Sequence, residues 1–138
     1  MFDYNKRYIY LSTPQNGQYE NVIQLVRDVL RRHNIELLTI SDVDTGDDVK
    51  LSVKRLIEQS SLVIAEISDL NPNVMYEVGI GQGLNRLIMP LVRQDVKTIP
   101  VDLALFWTVI YDPSDLRQLP RLIERWLDTY LQDKREAV

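Results

Sequence analysis

Residues 62–92 read LVIAEISDLNPNVMYEVGIGQGLNRLIMPLV, and the fold class turns on them. Leu62 to Ile67 is a short apolar run of strand type. Asn71-Pro72 is a strong helix start, because Asn is a good N-cap and proline is favoured at the first helical position. The helix is expected over Pro72 to Leu84, and Leu87 to Val92 reads as the next strand. Pro90 is unusual inside that strand, since it has no N–H to give to a ladder.

The same alternation continues outward in both directions. Arg7 to Leu11 is aromatic and β-branched and reads as a first strand, followed by the polar loop Ser12-Thr13-Pro14-Gln15-Asn16-Gly17. From Gln18 to His33 the apolar residues Tyr19, Val22, Ile23, Val26, Val29 and Leu30 keep helical spacing. Arg31, Arg32 and His33 suit the negative end of that helix, and Asn34 is its expected stop. Ile35 to Ile40 reads as strand two. An acidic loop, Asp42 to Asp48, precedes a second helix marked by Val49, Val53, Leu56 and Ile57, with Asp47 or Asp48 as its cap. A long connection, Arg93 to Trp107, leads to a short strand at Thr108 to Tyr111. Leu116, Leu119, Leu122, Ile123, Trp126, Leu127, Tyr130 and Leu131 then form the stripe of a last helix, with Lys134 to Val138 expected to fray.

Strands alternating with helices imply an α/β three-layer, flavodoxin-like (Rossmann-like) sandwich. Its parallel sheet of about five strands has the expected order 2-1-3-4-5. Ligands bind such sheets beyond the carboxyl ends of the strands. The loops holding Ser12-Thr13-Pro14 and Asp69 to Asn73 are therefore expected to form one site.

Composition sets bounds. The 138 residues suit one domain, and 45% hydrophobic with 26% charged content is that of an ordinary globular protein. A net charge of −4 argues against binding a nucleic-acid polymer. The chain has no cysteine and one histidine, His33, which excludes thiolate and multi-histidine metal centres. The acidic loop lacks the glycine and glutamate positions of a calcium loop. No apolar run approaches the roughly 20 residues of a membrane span, so a cytoplasmic location without membrane partners is expected.

Glu77 is the conspicuous group of the third helix. Asn73 lies one turn before it and Gly81 one turn after, while Val74, Met75, Val78 and Ile80 surround it. Such a setting desolvates a carboxylate and raises its pKa. Gly79, Gly81 and Gly83 each cost about 1 kcal/mol against alanine within a helix. Gly79 and Gly83 share a face, which either lets the helix approach the sheet or leaves room for a ligand.

From Ser61 to Val92, and most of all in NPNVMYEVG at 71–79 preceded by VIAEISD, the chain resembles the nucleoside 2-deoxyribosyltransferase-like and bacterial TIR-like group. YLSTP at 10–14 and the later PVDL and VIYD segments agree more loosely. The resemblance implies a flavodoxin-like sheet. Where members are enzymes, it implies cleavage or transfer at an N-glycosidic bond of a nucleoside, a nucleotide or NAD, with an essential helix-borne glutamate. Glu77 is the position that matches. A carboxylate there can stabilise or trap the oxocarbenium-like sugar left by the departing base. Transferases carry an aspartate shortly before the glutamate, where this chain has Asn71 and Asn73. The Asn-Pro-Asn-Val form is nearer to TIR-like proteins, many of which act in signalling or defence.

Glu77 is thus the expected catalytic residue, beside a substrate-binding set of Ser12, Thr13, Asp69, Asn71, Asn73 and Tyr76. Five of these have a plainer alternative. Glu77 could be structural, Asp69 a helix cap, Ser12 and Thr13 loop-ordering hydroxyls, and Tyr76 a packing residue. Phe106 and Trp107 either roof the pocket or pack under the last helix. No metal and no cofactor are expected, NAD entering only as a substrate. The expected partner is a nucleoside or nucleotide, and the apolar last helix leaves a homo-oligomer open. The alternative to an enzyme is a non-catalytic nucleotide-sensing or TIR-like interaction module.

Overall fold

The computed structural model describes residues 5–43, 48–98 and 107–136, with side chains to residue 130. Five strands form one parallel sheet: β1 Arg7–Ser12, β2 Ile35–Leu38, β3 Leu62–Glu66, β4 Leu87–Arg93 and β5 Val109–Tyr111. Their order is β2-β1-β3-β4-β5, as the alternation of elements implied. Helices α1 Glu20–Arg32 and α4 Leu119–Glu136 cover one face, and α2 Val49–Gln59 and α3 Pro72–Gly83 cover the other.

The pleat sorts the side chains between two cores. Ile9, Leu11, Leu62, Ile64, Met89 and Leu91 pack under α1 and α4. Tyr10, Val63, Ala65, Ile88 and Val92 pack under α2 and α3. A sheet buried on both faces explains why the strands read as continuous apolar runs rather than alternating ones. No helix among the described residues is long and apolar enough to cross a membrane.

Local chemistry sets the boundaries. Strand two ends at Leu38, short of the expected Ile40, because Thr39 and Asp42 close a capping box around a short turn at Ile40–Asp42. Asp48 caps α2 by accepting from the Leu51 N–H. Asn34 and Asn85 follow α1 and α3 with φ of 57° and 58°, the left-handed stop that asparagine tolerates. Leu116 lies in a short turn ahead of α4, and α4 runs on to Glu136, through part of the tail expected to fray. Residues 44–47 of the acidic loop, PVDL at 100–103, and Phe106 lie outside the described residues.

Pro90 sits within β4 opposite Ala65 of β3. Pairing of β4 with β5 begins only at Leu91, so at position 90 the strand has a neighbour on one side only. A missing donor is tolerated on an unpaired side.

Of the two alternatives for Gly79 and Gly83, close approach to the sheet falls instead to Gly81. Gly81, not Gly79 or Gly83, faces the sheet: a Cβ there would lie 3.0 Å from Ile88 Cδ1 and 3.1 Å from Val63 Cγ2. A Cβ at Gly79 or Gly83 would meet nothing within 4 Å. Close approach of α3 to β3 and β4 thus depends on Gly81. In urea unfolding, Gly79→Ala is expected to add about 0.5–1 kcal/mol of stability through helix propensity alone. Gly81→Val is expected to remove about 1–3 kcal/mol by overpacking against Val63 and Ile88.

Candidate functional site

The site begins with the register of β1 against β3. Ser12 pairs with Ala65 and Tyr10 with Val63, so Tyr10 and Ser12, two residues apart, face the same side as α3. Asn71 starts that helix by accepting from the Asn73 and Val74 N–H groups. The helix then carries Glu77 down onto β1. Tyr10 Oη donates to Glu77 Oε1 at 2.6 Å, and Ser12 Oγ donates to the same oxygen at 2.9 Å. No described residue donates to Oε2 in the same way.

Glu77 is 7% exposed, and burial pushes its pKa above the ordinary carboxylate value against the opposing pull of the Tyr10 and Ser12 hydroxyls. The Tyr10 phenol is pushed up in turn, first by burial and then by the Glu77 charge. Tyr10 therefore stays a proton donor and cannot serve as a base near neutral pH.

Glu77 lines a cleft of about 470 Å³ together with Thr13, Gln15, Ile40, Val49, Lys50, Val53, Asn73 and Tyr76. That volume lies within the about 300–1,000 Å³ of small-molecule sites. The walls are apolar at Ile40, Val49 and Val53, and polar at Lys50 of α2, the loop after β1 and the first turns of α3. Gln15 Nε2 reaches back to the carbonyl and hydroxyl of Thr13 at 3.1 and 3.3 Å, ordering that loop. Tyr76 is 55% exposed and stands at the cleft.

The expected site residues therefore separate. Thr13, Asn73, Tyr76 and Glu77 line the cleft, and Ser12 braces Glu77 from behind. Asn71 is the α3 cap. Asp69 neither caps α3 nor lines this cleft: it pairs with Arg93 at 3.0 Å and accepts from Tyr19 Oη at 2.7 Å. Hydrogen bonds that Asp69 accepts from the Arg93 guanidinium and the Tyr19 hydroxyl hold its carboxyl below the usual range. Trp107 does not line the cleft; its carbonyl accepts from Trp126 Nε1 at 3.2 Å and its ring is half-exposed.

Tyr10, Gln15 and Lys50 were not singled out from the sequence. Tyr10 was within reach of strand alternation, since it shares a face with Ser12. Lys50 carries no motif; it reaches the cleft only because α2 packs beside α3.

A second buried carboxylate lies on the opposite face of the sheet. Glu66 is 0% exposed. Its oxygens accept from the Ser68 N–H at 2.7 Å and from Tyr111 Oη. Burial raises its pKa too, and the Ser68 and Tyr111 contacts and the Arg93 charge pull it back.

No family model matches the sequence, and no curated protein does. Solved structures do match in fold. The TIR domain of the Toll-related receptor TRR-2 from Hydra magnipapillata aligns over 88% of this chain and 95% of its own, with a TM-score of 0.67 and 19% identity. The Clostridium botulinum CMP N-glycosidase BcmB aligns over 90% and 99%, with a TM-score of 0.65 and 16% identity. A 2-deoxyribosyltransferase from Bacillus psychrosaccharolyticus aligns over 79% and 89%, with a TM-score of 0.60 and 18% identity. The chain has the fold that these proteins share, and they come from the groups that the 61–92 segment resembles.

The raised pKa of Glu77 has a sign that stability measurements read. The folded state binds this proton more tightly than the unfolded chain, so the contribution is full below the unfolded pKa and is lost as pH rises through the folded one. Glu77→Gln keeps an acceptor for Tyr10 and Ser12 and removes the charge. It is expected to be more stable than wild type at neutral pH, by on the order of 1 kcal/mol. The gain should shrink as pH falls into the carboxylate range. Thermal unfolding at several pH values checks this, and a variant less stable at neutral pH would contradict it.

Proposed function

We propose that this chain cleaves or transfers at the N-glycosidic bond of a nucleoside, a nucleotide or NAD, with Glu77 as the group that meets the sugar. The observation that carries this reading is a desolvated carboxylate on a cleft wall with one oxygen held by two hydroxyls. With Oε1 fixed by Tyr10 and Ser12, Oε2 is the oxygen available to the anomeric carbon. As the bond to the base lengthens, positive charge grows on that carbon. A carboxylate in a poorly solvated cleft stabilises it far more than one in water. Collapse of Oε2 onto the carbon gives a glycosyl ester, and water or a second base then releases the sugar.

The likeness to a CMP N-glycosidase and a 2-deoxyribosyltransferase supports this chemistry, while the likeness to a TIR domain supports a role in signalling or assembly. The apolar wall of Ile40, Val49 and Val53 suits the face of a base. Lys50 is the one cation among the described residues of the cleft, and it suits a phosphate on the sugar.

Incubation with NAD and a panel of nucleosides and 5′-nucleotides, with free base read by chromatography, tests the proposal. Wild type is expected to release base, and Glu77→Gln to lose at least about 10³-fold in rate. The rate should rise with pH as Glu77 ionises, with a midpoint above the ordinary carboxylate range. Lys50→Ala should weaken binding of a 5′-nucleotide by about two- to fivefold while leaving the matching nucleoside unchanged. Ligand-dependent thermal stabilisation without turnover would favour the sensing module instead.

A further inference from the structure

Glu77 acts from a helix, so its position depends on how that helix is started. The link from β3 to α3 is short: β3 ends at Glu66, and α3 begins at Pro72. Within it Leu70 has a φ of 49°, left-handed backbone that a branched L-residue rarely adopts. Its N–H donates to the Ile67 carbonyl at 3.1 Å, closing a turn over 67–70. Leu70 itself is 44% exposed, so packing adds little, and side chains from elsewhere in the fold supply the further restraint.

Arg93, at the end of β4, ties the link at two points. Its backbone N–H donates to Ser68 Oγ at 2.8 Å. Its guanidinium donates through Nη2 to Asp69 Oδ1 at 3.0 Å and through Nη1 to Tyr19 Oη. Tyr19, packed in the core just before α1, donates in turn to Asp69 Oδ2 at 2.7 Å. Both oxygens of Asp69 are thereby held, one by a cation and one by a phenol. The Arg93 side chain is itself only 15% exposed, so water competes weakly for it. Its remaining Nε donates to Asp95. Two residues beyond this clamp, Asn71 caps α3.

We propose that Arg93, with Tyr19 and Asp69, is a positioning residue for Glu77: the clamp holds Leu70 in its left-handed conformation and so fixes where α3 starts. Glu77 lies five residues past the helix start, about 7–8 Å along the axis. A small tilt at the N-terminus therefore moves the carboxylate, and misplacement by about 1 Å is enough to cost about 10²-fold in a glycosyl transfer. The catalytic consequence rests on the function proposed above; the structural consequence does not.

Two variants test it. Arg93→Gln removes the cation. Tyr19→Phe removes the bridging hydroxyl, keeps the ring in the core, and serves should Arg93→Gln fold poorly. Amide hydrogen exchange over residues 68–75 is expected to speed up at least tenfold in Arg93→Gln, with β1 and α2 unchanged. Tyr19→Phe should move the same amides by a smaller factor. The ¹³C shift of the Glu77 carboxyl should change in both, because its hydrogen bonds to Tyr10 and Ser12 are disturbed. With a glycoside that turns over, kcat should fall about tenfold or more with KM within about twofold. Restoring the left-handed preference with Leu70→Asn in the Arg93→Gln background should recover part of both losses.

Unchanged exchange at 68–75, or a rise spread evenly over the whole fold, overturns the clamp. Faster loop exchange with an unmoved Glu77 resonance and an unchanged kcat overturns its link to Glu77. If wild type releases no base from any substrate, the proposed function falls, and the exchange and carboxyl measurements still decide the clamp.

Discussion

Ser12 lies opposite Ala65 in the parallel pairing of β1 with β3, and the architecture of the cleft depends on that register. β1 sits between β2 and β3 in the sheet, so its carboxyl end is where neighbouring crossovers part and leave a crevice. The pleat then decides which side chains meet α3. A slip of one residue would send Tyr10 and Ser12 to the α1 face and turn Ile9 and Leu11 toward Glu77. The carboxylate would be buried without donors, which proteins rarely tolerate. The apolar residues that fix the register, Ile9 and Leu11 among them, are thus also what gives Glu77 its hydroxyls.

Among the described residues, two carboxylates are buried at this end of the sheet, one on each face. They are held differently. Glu66 has donors on both oxygens, Ser68 on one and Tyr111 on the other, so its hydrogen bonds tie β5 to β3 across β4. Both donors to Glu77 converge on one oxygen. A carboxylate held on both sides is a fastening, while Glu77, held through one oxygen on a cleft wall, leaves the other oxygen without such a donor among the described residues. The raised pKa of each is the free-energy cost of burying a charge. Under the proposed function that cost has a return at Glu77, because the same desolvation strengthens the carboxylate's attraction for a developing cation.

The fold was legible in the sequence because its determinants are local. Strand runs, helical spacing, the Asn71-Pro72 start and the asparagine stop at Asn34 each act within a few residues, and together they imply the sheet order found. The misreadings were equally local in cause. Ile40 looks like strand until the Thr39–Asp42 box is recognised. The glycine facing the sheet is Gly81, which shares the buried stripe of α3 with Val74, Glu77 and Val78 at ordinary helical spacing; Gly79 and Gly83 lie off that stripe.

The site was legible only in part, because its membership depends on contacts between distant segments. Glu77 and Asn73 stand out within one helix, but the partners of Glu77 come from 65 and 67 residues away. Asp69 is four residues from Asn73 and still belongs to a different cluster, since the Arg93 guanidinium and the Tyr19 hydroxyl draw it away from the cleft. Nothing in the local sequence announces that pairing. A ¹³C-detected pH titration of the Glu77 carboxyl, alone and saturated with a nucleotide, tests the central claim most directly. The account predicts a midpoint above the ordinary carboxylate range in the free protein and a resonance that moves when ligand fills the cleft. An ordinary midpoint, unmoved by any nucleoside or nucleotide, would contradict it.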